Sequence, residues 1–171
     1  MFTAPAIGVR SEDLADRAAI RAVNSSTFGR NDEADLVDEL RTSGHVLISL
    51  VGVVDGNIVG HILFSRMWIQ ARPGLISAAA LAPVAVLPEH QMKGIGSHLI
   101  EHGLRMLSDR DEGIVIVVGH PEYYLRFGFS RDKARLLESP FPAEAFMVLE
   151  LVPGALDGVQ GRVVYPPEFG I

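Results

Sequence analysis

The six residues Gln91–Gly96 read Gln-Met-Lys-Gly-Ile-Gly, and they join two segments with different hydrophobic periods. The preceding run Ala78–Leu87 is apolar and strand-like, whereas the spacing from Gly94 to about Leu107 is that of an amphipathic helix. The first N–H groups of a helix lack intrahelical acceptors, and the helix dipole attracts anions to that end. Glycines let a ligand approach the backbone, and Lys93 adds positive charge. The segment therefore predicts a site for a phosphorylated small molecule.

The composition limits the classes of protein to which the chain can belong. Its 171 residues fit one domain, and the 48% of hydrophobic residues can supply a full core. The formal charge of −6 argues against a nucleic-acid partner. The absence of cysteine excludes disulfides, a thiol nucleophile and a thiolate metal site. The apolar runs are too short for a membrane span and the N-terminus does not resemble a signal peptide, so we expect a cytoplasmic protein without a membrane partner.

Residue patterns predict the secondary-structure elements of an α+β domain with a central mixed sheet. Before the hairpin signal Asp55-Gly56 we expect a helix capped by Ser11 and reaching about Val23, then a polar break over residues 24–30. The other expected elements are an edge strand Ala6–Arg10, a helix from Asp32 to Arg41, and strands His45–Val54, Asn57–Gln70, Leu75–Leu87, Ile114–Val118, Phe146–Leu151 and Arg162–Tyr165.

The glycine turn is part of a longer motif, Val84-Ala85-Val86-x-Pro88-x-x-Gln91-x-x-Gly94-Ile95-Gly96. This motif resembles the acetyl-CoA motif of the GNAT superfamily of N-acetyltransferases. A second segment, Tyr124-x-x-x-Gly128-Phe129, is similar to another motif of that superfamily. The pattern from Gly119 to Phe129, together with Glu33-Ala34 and the closing segment, resembles the YhbS-like branch of predicted acetyltransferases. The resemblance implies one domain over residues 1–171, with a mostly antiparallel, twisted sheet flanked by helices.

The resemblance also implies roles for particular residues. Backbone groups of the strand would pair with the pantetheine arm, and the N–H groups after Gln91 would hold the pyrophosphate. A strand N–H would polarise the thioester carbonyl. Tyr124 would protonate the departing CoA thiolate, with Tyr123 as its substitute if the turn is offset by one residue. The residues expected to bind acetyl-CoA are Val84, Ala85, Val86, Gln91, Met92, Lys93, Gly94, Ile95, Gly96 and Ser97.

A base for the attacking amine is harder to assign from the sequence. Glu33 is the first candidate, because it lies in the N-terminal helical region that borders the acceptor cleft in the family. Glu122, Glu89 and His61 are weaker candidates. Many family members carry an asparagine after the strand that ends near Val118, whereas this chain has Gly119-His120. The sequence leaves open whether His120 makes the contact of that asparagine.

The leading hypothesis is an enzyme that moves acetyl from acetyl-CoA to a small-molecule or peptide amine by direct attack in a ternary complex, without a metal. A homodimer is the assembly to expect, since dimers are common among soluble proteins. A CoA sensor without turnover is the second hypothesis. A zinc hydrolase on His98, Glu101 and His102 is the third, although these side chains are expected on the exposed side of the helix. A dinucleotide site is disfavoured, since it expects three glycines and a later acidic residue.

Overall fold

The computed structural model describes residues 6–72 and 74–171, and the elements below belong to these ranges. The helices are α1 (Arg17–Phe28), α2 (Asp32–Ser43), α3 (Ile95–Asp109) and α4 (Pro121–Tyr124). The strands are β1 (Ile7–Ser11), β2 (Val46–Val54), β3 (Asn57–Ala71), β4 (Leu75–Val86), β5 (Ile114–Val118), β6 (Leu137–Glu138), β7 (Phe146–Glu150) and β8 (Gly161–Val164). None of these helices combines the length and the apolarity that a bilayer crossing requires.

The strands form a mixed sheet. Their order is β1-β2-β3-β4-β5-β7, while β8 pairs with β3 and β6 pairs with β8. The pairs β1–β2, β3–β8 and β5–β7 are antiparallel, whereas β4–β5 and β6–β8 are parallel. This architecture confirms the α+β class with a mixed, mostly antiparallel sheet flanked by helices.

Contacts divide the chain into two compact units, so the expectation of one domain over residues 1–171 stays a prediction. The first unit contains the described residues up to Phe64 together with Pro83–Gly103. Here α3 packs against β2 and β3 through two glycines: a Cβ at either Gly52 or Gly60 would lie 3.0 Å from Ile95 Cγ2. This close approach fixes the beginning of α3, because Ile95 is its first residue and is buried.

The second unit contains Ser65–Ala82 and Leu104–Ile171. Its strands β4 and β5 pair at Ala79–Val115 and Ala80–Ile116. Strand β7 follows β5 along its whole length, ending with Val118 opposite Phe146. One apolar cluster fills this unit, and it includes Met67, Ile69, Ala78, Ala80, Ile114, Ile116, Phe146, Val148 and Val163.

Helix α1 differs from its prediction at both ends. Ser11 is not its cap but the last residue of β1, and a 3-10 turn (Leu14–Asp16) comes before the helix. The expected polar break at residues 24–30 is wrong, since α1 continues to Phe28 and ends at Gly29 in the left-handed conformation. The reason is that two polar residues bond within the helix: Asn24 Nδ2 donates to Ile20 O, and Thr27 Oγ1 donates to Val23 O.

Candidate functional site

The turn before α3 holds its backbone in an unusual conformation. Met92 has φ +63° and Gly94 has φ +85°, and the first bond of the helix runs from His98 N to Gly94 O at 3.0 Å. The left-handed region disfavours a residue with a Cβ, and Met92 is fully exposed at 101%, so packing of its side chain does not offset the strain. Left-handed residues in a loop of this kind point successive N–H groups towards one concave surface, which can bind an anion. A turn of this form is able to bind an anion such as a phosphate.

The carbonyl of Val86 joins this turn to the end of β4. Gln91 Nε2 donates to Val86 O at 2.9 Å, and Thr27 Oγ1 lies 3.0 Å from the same oxygen. Lys93 Nζ donates to Glu89 O at 3.1 Å. The side chains of Gln91 and Lys93 therefore close the turn onto its own backbone, while both residues are exposed.

Residues at the end of β4 alternate between buried and half-buried positions. Ala85 is buried, whereas Val84 and Val86 are half-buried. On the side of β3, Leu87 N donates to Val59 O at 2.9 Å. Because backbone groups alternate along a strand, the N–H and C=O of Val86 face away from β3. A free strand edge of this kind can pair with an extended ligand.

Tyr124 lies in the second unit, at the end of α4. Its ring lies against Gly119, where an added Cβ would be 3.0 Å from Cδ2 and closer still to Cε2. The ring also makes an edge contact with Phe129, with centroids 5.9 Å apart. Burial raises the pKa of Tyr124 to about 12, so its phenol is protonated at neutral pH and able to donate a proton. Gly119, which begins the YhbS-like pattern and stands where many family members have an asparagine, makes room for this ring.

The neighbours of Tyr124 have different surroundings. Tyr123 packs on Phe127 and lies 4.7 Å below the guanidinium of Arg126. His120 is exposed, and its carbonyl accepts hydrogen bonds from the N–H groups of Tyr123 and Tyr124. The backbone of His120 thus begins the α4 turn that presents Tyr124.

The candidate bases differ in charge and burial. Glu33 is bound by Arg30 at 2.5 Å, and this pairing lowers the pKa of the Glu33 carboxyl. His61 is fully buried between Asn24 and Ser49, and burial lowers its pKa to about 3. Glu89 and Glu122 are exposed. His61 is therefore a neutral structural residue, whereas Glu33 is an ionised carboxylate of reduced basicity.

The three residues of the zinc-like pattern on α3 differ in exposure, since His102 is half-buried. His98 and Glu101 are exposed, while Ile95, Leu99 and Ile100 are buried. Within residues 6–72 and 74–171, no three histidine or acidic side chains come together as a metal site would require.

Three residues around these sites were missed by the sequence analysis. Thr27 and Asn24 were assigned to a loop, although a threonine or asparagine that bonds to the carbonyl four residues earlier fits a helix. Arg30 lies between α1 and α2 and pairs with Glu33 in the first turn of α2; the opposite charges three residues apart were the signal for this pair.

The sequence matches the model of the acetyltransferase (GNAT) domain over residues 9–131. The chain belongs to the GNAT family of acetyltransferases. The Escherichia coli protein YjhQ, described as an uncharacterized N-acetyltransferase, is 38% identical over 77% of this chain and 76% of its own. The E. coli N-acetyltransferase YhbS, also uncharacterized, is 32% identical over 94% of this chain and 97% of its own.

Solved structures agree with this assignment. The crystal structure of E. coli YhbS in complex with CoA matches 100% of this chain and 96% of its own, with a TM-score of 0.90 and 30% identity. The crystal structure of a GNAT acetyltransferase from Brucella melitensis in complex with acetyl-CoA matches 97% of this chain and 99% of its own, with a TM-score of 0.81 and 32% identity. The predicted membership in the GNAT superfamily and its YhbS-like branch is confirmed. This chain is thus an N-acetyltransferase by family, and nothing in these comparisons supports a CoA sensor or a zinc hydrolase.

Proposed function

We propose that this chain transfers the acetyl group of acetyl-CoA to the amine of a small-molecule or peptide acceptor by direct attack in a ternary complex. The observation that carries the proposal is the strained turn with Met92 and Gly94 in the left-handed conformation, directly before α3. Strain that side-chain packing does not offset indicates a functional conformation. Two relatives of about 30% identity have been crystallised with CoA or acetyl-CoA, which supports the same cosubstrate here.

The proposed acetyl-CoA site lies in the first unit. The free edge of Val84–Val86 would take the pantetheine arm, with Ala85 buried behind it. The turn from Gln91 to Ser97 would take the pyrophosphate on its N–H groups, including those of Ile95 and Gly96 at the start of α3. Lys93 would add a positive charge next to the phosphates.

The proposed reaction needs one proton donor and one proton acceptor. The acceptor ammonium first loses a proton, and the neutral amine then attacks the thioester carbonyl. The C–N bond forms, the nitrogen loses a second proton, the C–S bond breaks, and the thiolate takes a proton. Tyr124 is the proposed donor, because it stands at the tyrosine position of the Tyr124-x-x-x-Gly128-Phe129 motif and its phenol carries a proton at neutral pH. Glu33 is the proposed acceptor of the ammonium proton, directly or through water. Its pairing with Arg30 keeps it ionised but makes it a weak base, so we expect the acceptor amine to compete for Arg30's place.

Calorimetric titration of acetyl-CoA and of NAD, followed by a panel of amines, tests the proposal. We expect micromolar binding of acetyl-CoA, none of NAD, and release of CoA thiol with at least one amine. The chain has no cysteine, so a thiol-reactive dye reports only the CoA that the reaction releases. Protein that binds neither CoA nor acetyl-CoA would contradict the proposal. Binding without turnover over a broad panel would favour the sensor instead. The cytoplasmic location and the homodimer stay predictions.

A further inference from the structure

Helix α1 reaches the end of β4 through one hydroxyl group. Thr27 Oγ1 lies 2.7 Å from Val23 O and 3.0 Å from Val86 O. Because a hydroxyl carries a single proton, Thr27 shares it between the carbonyl of its own helix and that of the strand. Gln91 Nε2 also donates to Val86 O, at 2.9 Å.

This contact lies on the edge of β4 that is proposed to take the pantetheine. The Val86 carbonyl faces away from β3, since Leu87 N donates to Val59 O on the opposite side. With Thr27 and Gln91 on that carbonyl, the Val86 N–H and the peptide groups of Val84 are left for a ligand. Thr27 thereby selects which backbone groups of this edge an extended ligand can use.

A buried polar chain holds α1 in place one turn before Thr27. Asn24 Nδ2 lies 3.1 Å from His61 Nδ1 on β3, and His61 Nε2 lies 2.9 Å from Ser49 Oγ on β2. Asn24 and His61 are both 0% exposed. Since the Asn24 amide also donates to Ile20 O, His61 accepts at Nδ1 and carries its proton on Nε2. These two buried side-chain contacts join α1 to both strands and so hold Thr27 in position, although Asn24 Oδ1 is buried without a hydrogen-bond partner.

We propose that Thr27 is a positioning residue for acetyl-CoA: its hydroxyl holds the Val86 peptide in the orientation that binds the pantetheine arm. The inference rests on the proposed function, because it assumes that acetyl-CoA lies along β4. According to this inference, α1 contributes to acetyl-CoA affinity through a residue that lies outside the glycine motif.

The test compares Thr27→Val, which keeps the shape and removes the hydroxyl, with Thr27→Ser, which keeps the hydroxyl. Two ligands are titrated: acetyl-CoA, and adenosine 3′-phosphate 5′-diphosphate, which has the pyrophosphate but no pantetheine. We expect Thr27→Val to weaken acetyl-CoA about threefold to tenfold, the range of one hydrogen bond, and to leave the nucleotide within about twofold. Thr27→Ser should bind both ligands like the wild type.

Three results separate the possibilities. Unchanged acetyl-CoA affinity in Thr27→Val overturns the inference. Equal weakening of both ligands also overturns it, because the hydroxyl would then support only the general structure of the unit. Wild-type protein that binds no acetyl-CoA refutes the proposed function itself and removes the inference with it. Thr27→Ala, which a helix tolerates well, is the second variant if Thr27→Val does not fold, and it should give the same selective loss.

Discussion

The candidate sites of the two units are built from different kinds of atoms. In the first unit the proposed acetyl-CoA site consists mostly of backbone groups, which the turn from Gln91 to Ser97 and the edge of β4 present. In the second unit the proposed catalytic site is one side chain, Tyr124, whose ring is placed by Gly119 and Phe129. A backbone site is sensitive to conformation and tolerant of side-chain changes, whereas a side-chain site fails when one group is removed.

The largest effect is expected where the single group is removed. Tyr124→Phe keeps the ring and its contacts with Gly119 and Phe129 but cannot donate a proton. We expect turnover to fall at least about a hundredfold, the lower range for loss of an acid catalyst, with acetyl-CoA affinity unchanged. Steady-state kinetics and calorimetry measure the two quantities, and Tyr123→Phe is the matched control. Wild-type turnover in Tyr124→Phe would remove this residue from the mechanism.

A smaller effect is expected when the ring is moved rather than altered. Gly119→Ala places a Cβ where the Tyr124 ring now lies, so the ring must shift. We expect turnover to fall about tenfold to a hundredfold, since a displacement near 1 Å costs up to about that factor. The affinity for acetyl-CoA should not change. If the variant turns over like the wild type, the position of the ring does not matter for the reaction, and the comparison between the two sites is weakened.

Acid should destabilise the first unit through His61. Its pKa is about 3 in the folded protein, below the ordinary value of 6.5, so the unfolded state binds more protons between these values. This contribution to stability is fully present above pH 6.5 and is lost as the pH falls towards 3, by about 2 kcal/mol at pH 5. Denaturant unfolding at pH 7.5 and pH 5 measures it. In His61→Gln the difference between these two pH values should shrink by that amount; an unchanged difference would assign it to other groups.

The smallest effect is expected in the turn before α3, where Gly94→Ala tests the backbone conformation and Met92→Ala tests a side chain. Gly94→Ala puts a Cβ on a residue with φ +85°, at a cost of about 1–2 kcal/mol. We expect this cost as lost stability if the turn is kept, or as weaker acetyl-CoA binding if the turn relaxes. Met92→Ala is the control, because it removes a fully exposed side chain from the same turn, and its affinity should stay within about twofold of the wild type. A large loss in Met92→Ala would mean that the side chain itself binds the ligand.

Local signals in the sequence were enough for most of the fold. Asp55-Gly56 predicted a tight hairpin, and both residues have positive φ in the turn between β2 and β3. The β-branched run Ile114–Val118 forms β5 with the predicted bounds. The glycine turn was found because its φ values are demanding, which restricts the residues that can occupy it.

The sequence-based predictions failed where contacts between distant parts of the chain determine the local structure. Asn24 and Thr27 suggested a loop by their propensities, but they form hydrogen bonds to His61 and Val86 that no local pattern contains. Ser11 was expected to cap α1, whereas its backbone pairs with Leu50 in the sheet. The acceptor specificity could not be predicted for a related reason, since acceptor contacts come from separate segments that share no motif.

The pairing of β3 with β8 has a consequence for how the second unit is made. Trp68 lies opposite Val164, so almost a hundred further residues must be synthesised before this edge of β3 can pair with β8. On the ribosome, the apolar residues Met67 and Ile69 would be synthesised long before Val163 can cover them. Completion of this unit therefore depends on the synthesis of β8, and a chain that stops before β8 should leave an unpaired strand edge that invites aggregation.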